Sequence, residues 1–480
     1  MNPLAKLDHQ YVWHPFTQMR DWLKREPIVI VDGRGAILRD VHGRQYLDAN
    51  SSIWTNLHGH NHPKINRAIS RQLKKIAHSS ALGLANEPAS QLAKSLVEAA
   101  NHISRNTQHA TRNTQHAPRS AALTKVFFSD DGSTAMEVAL KLAYEYTRRT
   151  GRSKRPKFLS LEGAYHGDTV GAVALGHINL FHKAYSGLLF KTDKVTAPYC
   201  YRCPYNRAKP ERADARDYRK CNWECVDSLE KKFASQKKKG NPYAAFVVEP
   251  LIQGAAGMIP QPSGWLKRAA EFSRGYGALL IADEVMTGFG RTGAGPRPFA
   301  CQQEQVQPDF MAVAKGLTGG YLPMAATLTT QRIFDAFLGE YHEFKTFFHG
   351  HSFTGNQLGA AAALANLEIL QGSASIHVRS SLQKCLQQAL QSLWTLPNVG
   401  DIRQVGLVVG IELTKNWRTR RPFELRERAG IRVCEEMAKR GVLTRPIGNV
   451  VVLMPPYCTT HEQVKQMVSA LKESIAELAL

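Results

Sequence analysis

Through the middle of the chain, short apolar runs alternate with longer stretches whose apolar residues recur at helical spacing. Residues 125–129, 157–161, 245–249, 278–283 and 310–314 read as strands. Each is nearly continuous in apolar residues, the pattern of a strand buried on both faces. Between them, 134–149 places Met136, Ala139, Leu140, Ala143 and Tyr146 near one helical face, and 265–276 is a second amphipathic segment. Strand and helix in alternation predict an α/β fold with a mostly parallel central sheet.

The flanks follow another rhythm. Residues 29–48 read as a meander punctuated by the turns Asp32-Gly33-Arg34-Gly35 and His42-Gly43-Arg44. After Gly350 comes an Ala-rich helix at 359–370, then mixed helices and strands to the end. Both ends are expected to fold together as a smaller α+β lobe, 1–70 with 351–480, around a large domain at 71–350. At 480 residues the chain is too long for one ordinary core, which agrees with a two-lobed unit.

Composition narrows the class. Hydrophobic residues make up 43% and charged residues 21%, as in a globular protein rather than a disordered one. The longest apolar runs, such as 278–282 and 450–454, are far too short to span a bilayer. Residues 1–10 lack the apolar stretch of a secretory signal, so the expected location is cytoplasmic. Lys and Arg number 62 against 40 Asp and Glu, a net charge of +22. Such an excess suits nucleic acid or anionic ligands. Here it is scattered, and no recognition helix, aromatic RNA motif or complete zinc finger accompanies it, which argues against a nucleic-acid partner.

Two local features stand apart. Cys200 and Cys203, then Cys221 and Cys225, approach the spacing of a zinc ribbon, but the second gap is unusual and a reduced insertion loop is the simpler reading, so no metal is assigned. Arg105-Asn106-Thr107-Gln108-His109-Ala110 recurs at 112–117, a polar tandem best read as a surface loop expansion.

Three features carry chemistry. Asp130-Asp131-Gly132-Ser133-Thr134 joins a strand to a helix, where free N–H groups and the positive helix end suit a phosphate, although ordinary capping gives the same residues. Asp283 ends the very apolar 278–283 run and Glu249 ends 245–249; acids there point into the crevice where α/β proteins bind ligands. Lys315 ends another strand before Gly316-Leu317-Thr318-Gly319-Gly320, where desolvation would lower its pKa and make it a better nucleophile. Each alone has a bland explanation. Together, a phosphate site, a buried acid and a strand-end lysine match the needs of pyridoxal 5'-phosphate.

With these residues in view the chain resembles the fold-type-I, class III aminotransferases over nearly its whole length. The longest matching stretch runs from Leu279-Leu280-Ile281-Ala282-Asp283-Glu284-Val285 to Gly290-Arg291-Thr292-Gly293, with Lys315 downstream. Within the class it is similar to the biotin-pathway branch, the 7,8-diaminononanoate synthases. That likeness rests on Trp13-His14-Pro15-Phe16, Ser51-Ser52-Ile53-Trp54, Tyr165-His166-Gly167-Asp168, Arg445-Pro446 and Met454-Pro455-Pro456-Tyr457.

The resemblance implies a role for each matching position. Lys315, Asp283 and Tyr165 would form the catalytic group: Lys315 as the Schiff-base lysine and proton carrier, Asp283 on the pyridine nitrogen, Tyr165 stacked on the ring. Gly132 and Ser133 would hold the phosphate, joined from a second subunit by Ser352, beside Gly350 and His351. Val285 would cover the other ring face, with Glu249 close by. Arg445 would pair with the keto acid's carboxylate, a task suited to Arg. Phe16, Ile53, Trp54 and Gly350 would line the substrate site with Tyr165 and Lys315, and Arg291 and Asp168 are candidates to pair with each other. A homodimer is implied, with a small-molecule amino donor and a keto acceptor as partners.

Phe16, Ile53 and His351-Ser352 depart from the best-known members of the branch, which have Tyr, a second Trp and Pro-Thr there. The insertion from Pro198 to Pro204 is also absent from them. These departures resemble a branch that takes its amino group from lysine rather than S-adenosylmethionine, so the donor stays open between the two. The histidines of Leu57-His58-Gly59-His60-Asn61-His62 read as a Gly-His turn rather than a metal site. The nearest rival is another class III enzyme acting on 4-aminobutyrate, ornithine or diamines. A rival of another kind is a non-catalytic basic protein that binds nucleic acid or zinc.

Overall fold

The computed structural model describes residues 1–101, 122–293 and 295–479, so the tandem repeat at 105–117 lies outside the described residues. The central sheet has seven strands: β1 (Leu123–Ser129), β2 (Lys157–Leu161), β3 (Asp193–Val195), β4 (Tyr243–Val248), β5 (Leu279–Asp283), β6 (Phe310–Val313) and β7 (Ala325–Thr330). Their order across the sheet is β1-β7-β6-β5-β4-β2-β3. β7 pairs antiparallel with both β1 and β6, and every other pairing is parallel.

All positions of β4, β5 and β6 are buried, which explains their continuous apolar pattern. On one face lies the helix Gly132–Arg149, burying Met136, Ala139, Leu140, Ala143 and Tyr146 as its spacing predicted. The other face packs on a larger core that includes Trp265, Leu266 and Ala269 of the helix Trp265–Gly275. Each fully buried Leu or Ile contributes roughly 1.5–3 kcal/mol. The apolar residues of β5 thereby offset the cost of burying Asp283 at its end.

The flanking meander is present as Ile30–Arg34, Ile37–Asp40 and Gln45–Asp48. Its last strand takes Val442–Leu443, from the far end of the chain, as a parallel neighbour. A second sheet joins Val399–Val405, Val408–Asn416, Val450–Leu453 and Pro446–Ile447. The Ala-rich helix runs Gln357–Gln371 and packs against Pro63–Lys75 and Glu87–Asn101. No helix among the described residues is long and apolar enough to cross a membrane.

Candidate active site

The parallel strands end at one edge of the sheet, and the chemically interesting residues cluster there. A cavity of about 430 Å³ opens at that edge. Of the residues singled out from the sequence, Trp54, Gly132, Ser133, Tyr165, Glu249, Asp283, Val285 and Lys315 all line it. One strand-to-loop junction after another delivers a side chain to the same crevice, as open α/β sheets do.

The helix Gly132–Arg149 starts at the cavity wall. Asp131 caps it by accepting from the Thr134 N–H at 2.9 Å. The N–H groups of Gly132 and Ser133 then stand free at the positive helix end, ready for an anion. Gly132 is required by crowding: a Cβ there would lie 2.7 Å from Val285 Cγ1. That contact sets the phosphate end of the cavity directly against the residue expected to cover the ring.

Asp283 is buried. One oxygen lies 2.7 Å from His166 Nδ1 and the other accepts the Val285 N–H at 3.1 Å. Nearby, Glu249 accepts N–H bonds from Gly254 at 2.7 Å and Tyr165 at 3.4 Å. Burial, reinforced by the neighbouring Asp283 charge, pushes Glu249 up to about 7. Tyr165 donates its hydroxyl to Asp168 at 2.7 Å; burial and that bond hold the phenol protonated.

Lys315 is half-buried, and desolvation lowers its pKa against the pull of Asp283 and Glu249. Its Nζ sits 4.7 Å from the centre of the Trp54 ring. Gly320 lets the following turn close: a Cβ there would meet the Asn56 backbone at 2.8 Å, and its φ is +85°.

Trp54 arrives on an unusual segment. Ser51, Ser52, Ile53 and Trp54 have φ of 47°, 48°, 65° and 71°, a left-handed helical turn built without glycine. Each such residue costs roughly 1–2 kcal/mol, so the turn persists only where its surroundings hold it.

Other expected residues lie further out. Phe16 packs edge-on to Phe181 at 5.3 Å, and Phe181 in turn meets Tyr165 at 6.3 Å, so Phe16 belongs to the outer wall. Ile53 is partly exposed beside Trp54. Arg445 is exposed on the strand-end segment and has no carboxylate partner among the described residues. Gly350 and Ser352 are exposed, while His351 Nδ1 is 3.3 Å from Asp130 Oδ2 of its own chain.

One expectation is corrected. Arg291 does not pair with Asp168. It is fully buried, donates to the carbonyls of Pro455 and Asn56, and lies over the Tyr457 ring at 5.1 Å. Asp168 serves Tyr165 instead, and its N–H donates to Ser133 Oγ at 3.0 Å.

His166 gained no role from the sequence, because a histidine beside the expected ring-stacking Tyr165 carries no signal of which carboxylate it will meet. The three alternating histidines take separate partners: His58 meets Asn366, His60 meets Asp48, and His62 caps the helix Pro63–Lys75. All four insertion cysteines are free thiols. Burial pushes Cys200 up to about 12 and Cys225 up to about 11, which keeps both neutral at pH 7. No three metal-ligating groups are gathered among the described residues.

The donor set fits pyridoxal 5'-phosphate. It offers an anion-binding helix end, a buried carboxylate steadied by His166 for the ring nitrogen, and a desolvated lysine for the aldehyde carbon.

The Aminotransferase class-III family profile matches residues 19–475. The chain belongs to the class III aminotransferases, pyridoxal-phosphate enzymes of fold type I. It is 46% identical over 472 residues to the Geobacter sulfurreducens protein named adenosylmethionine-8-amino-7-oxononanoate aminotransferase, covering 98% of this chain and 97% of that one. The crystal structure of the enzyme of that name from Methanocaldococcus jannaschii superposes with a TM-score of 0.87 at 39% identity, covering 99% of both chains. An amine transaminase from an uncultivated Pseudomonas species, solved in its PLP-bound form, superposes with a TM-score of 0.84 at 32% identity, over 97% of this chain and 98% of that one.

Proposed function

We propose that this enzyme transfers an amino group to 8-amino-7-oxononanoate, forming 7,8-diaminononanoate for biotin biosynthesis. What supports the reading most is the length of the likeness, 46% identity across 98% of the chain to a protein named for that substrate. The residues agree with it. An unpaired Arg445 suits the keto acid's carboxylate, and Trp54, Ile53 and Phe16 supply apolar surface for its chain.

Pyridoxal 5'-phosphate, when bound, supplies an electrophilic carbon and an electron-accepting ring. Residues 71–350 hold it, and 1–70 with 351–480 close the substrate side. Gly132 and Ser133 bind its phosphate, and Asp283, oriented by His166, keeps the ring nitrogen protonated. Tyr165 and Val285 enclose the ring. Lys315, its basicity lowered by desolvation, carries the proton that leaves the donor and later returns it to the acceptor carbon. Trp54 shields that amine from water.

The proposed amino donor is S-adenosylmethionine, the donor in the relatives' names. Lysine is the second reading, favoured by Phe16, Ile53 and His351-Ser352. A homodimer in the cytoplasm completes the proposal. His78 contacts the Ser352 carbonyl at 2.7 Å, and around that joint Leu82, Phe348 and Phe353 are 92%, 68% and 58% exposed. This apolar surface sits beside the phosphate loop through His351 and Asp130, where Ser352 would reach the site of a second copy.

The test is an absorbance titration of the cofactor-loaded enzyme with each donor, followed by 8-amino-7-oxononanoate. Bleaching by S-adenosylmethionine and recovery with the keto acid is the expected result. Bleaching only by lysine reverses the donor. Recovery with simple ω-keto substrates but not the oxononanoate would favour an amine transaminase.

A further inference from the structure

We infer that Asp48 is a positioning residue for the acceptor site, holding the left-handed turn that carries Trp54 over Lys315. The inference rests on the proposed function for the identity of the acceptor. Asp48 ends the strand Gln45–Asp48 and is buried, three residues before the strained turn. Its Oδ1 accepts the N–H groups of Asn50 at 3.2 Å and Ser52 at 3.1 Å. Its Oδ2 accepts the Ser52 hydroxyl at 3.0 Å and faces His60 Nε2 at 3.0 Å. One carboxylate thus gathers both ends of the turn's opening and ties them to the Gly-His loop.

The clamp extends on both sides. The Trp54 indole N–H donates to Asn50 Oδ1 at 2.8 Å, which fixes the ring that lies over Lys315. The Ser51 hydroxyl donates to the Met454 carbonyl at 2.6 Å. His60 Nδ1 meets Asn56 Nδ2 at 3.1 Å, and Asn56 closes the turn. Burial works against a charged Asp48, yet the bonds from His60 and Ser52 hold its carboxyl below the usual range. Four non-glycine residues in the left-handed region need such an anchor, because nothing in their own chemistry favours it.

The experiment compares Asp48→Asn with Asp48→Asn/Ser52→Gly, both as loaded enzymes, on the acceptor that the wild type uses best. Asp48→Asn should raise the acceptor KM about tenfold while kcat and the affinity for pyridoxal 5'-phosphate change less than about twofold. Glycine adopts the left-handed region freely, so Ser52→Gly in the same chain should restore the KM. An unchanged KM overturns the inference. So does a joint loss of kcat, KM and cofactor affinity that glycine fails to rescue, since that marks general damage. If Asp48→Asn does not fold, His60→Ala must show the same KM split. A wild type inactive on 8-amino-7-oxononanoate but active on another keto acid would sink the functional reading alone; the clamp would still be judged on that acceptor.

Discussion

Two buried charge clusters differ in what their groups face. In one, Arg403 donates to Asp401 at 3.0 Å, to Glu412 at 2.7 Å and to the carbonyls of Gly257 and Met258, while Tyr199 and Arg202 also bind Glu412. Arg403 spends its donors on protein. At the sheet edge, His166, Asp283 and Glu249 are buried and Lys315 is half-buried; Lys315 Nζ lies over the Trp54 ring beside the cavity, and His166 Nε2 is buried without a partner. Burial alone therefore does not separate a structural cluster from a chemical one. Charge paired by its own chain away from the cavity holds the fold together; charge that lines the cavity is available for a ligand.

Lys315→Ala tests the contrast most severely. It should abolish turnover, yet leave the melting temperature of the cofactor-free protein unchanged or higher, because a desolvated amine is removed. A lost fold would place Lys315 with the structural cluster. Arg403→Met should do the reverse. Stranding Asp401 and Glu412 should cost about 3–5 kcal/mol in chemical denaturation, with the affinity of surviving folded protein for pyridoxal 5'-phosphate unchanged.

Arg445 lies outside both clusters. Arg445→Ala should raise the KM for the keto acid roughly 10–100-fold, the worth of a charge-assisted hydrogen-bonded pair, and leave the donor's KM alone. Equal changes in both would move Arg445 out of the acceptor site.

The last contrast is in pH dependence. Glu249 is raised from 4.5 to about 7 and Asp401 from 3.8 to about 7, both chiefly by burial. With folded values above the unfolded ones, the folded protein binds more protons, so stability falls as pH rises from about 4 to about 7 and levels beyond. Glu249→Gln should remove part of that slope in the cofactor-free protein. Bound pyridoxal 5'-phosphate should alter Glu249's share and leave Asp401's, which pH-dependent melts with and without cofactor would read.

Much of this was legible along the chain, and the reasons are local. The strands at 157–161, 278–283 and 310–314 announce themselves because both faces are buried, and the structure places them within a residue of that reading. β3 and β7 do not: Asp193–Val195 has a single buried apolar residue, and Ala325–Thr330 is alanine and threonine around one leucine. The strand-end chemistry of Asp283, Glu249 and Lys315 was readable because sequence position and sheet edge coincide. Asp48 and His166 were not, since their partners are set by tertiary packing. The turn at Ser51–Trp54 was the least legible, because Ser-Ser-Ile-Trp contains no residue that favours positive φ.

Asp48's strand finds its parallel neighbour at Val442–Leu443, with the Leu47 N–H bonded to the Gly441 carbonyl and the Ala49 N–H to Leu443. During synthesis that neighbour emerges on the order of 20–80 s after Asp48, at the usual 5–20 residues per second. Until then the Ser51–Trp54 segment lacks its carbonyl anchor at Met454. The nascent chain can assemble its central sheet first, but the wall over Lys315 waits for residues 442–454 to emerge.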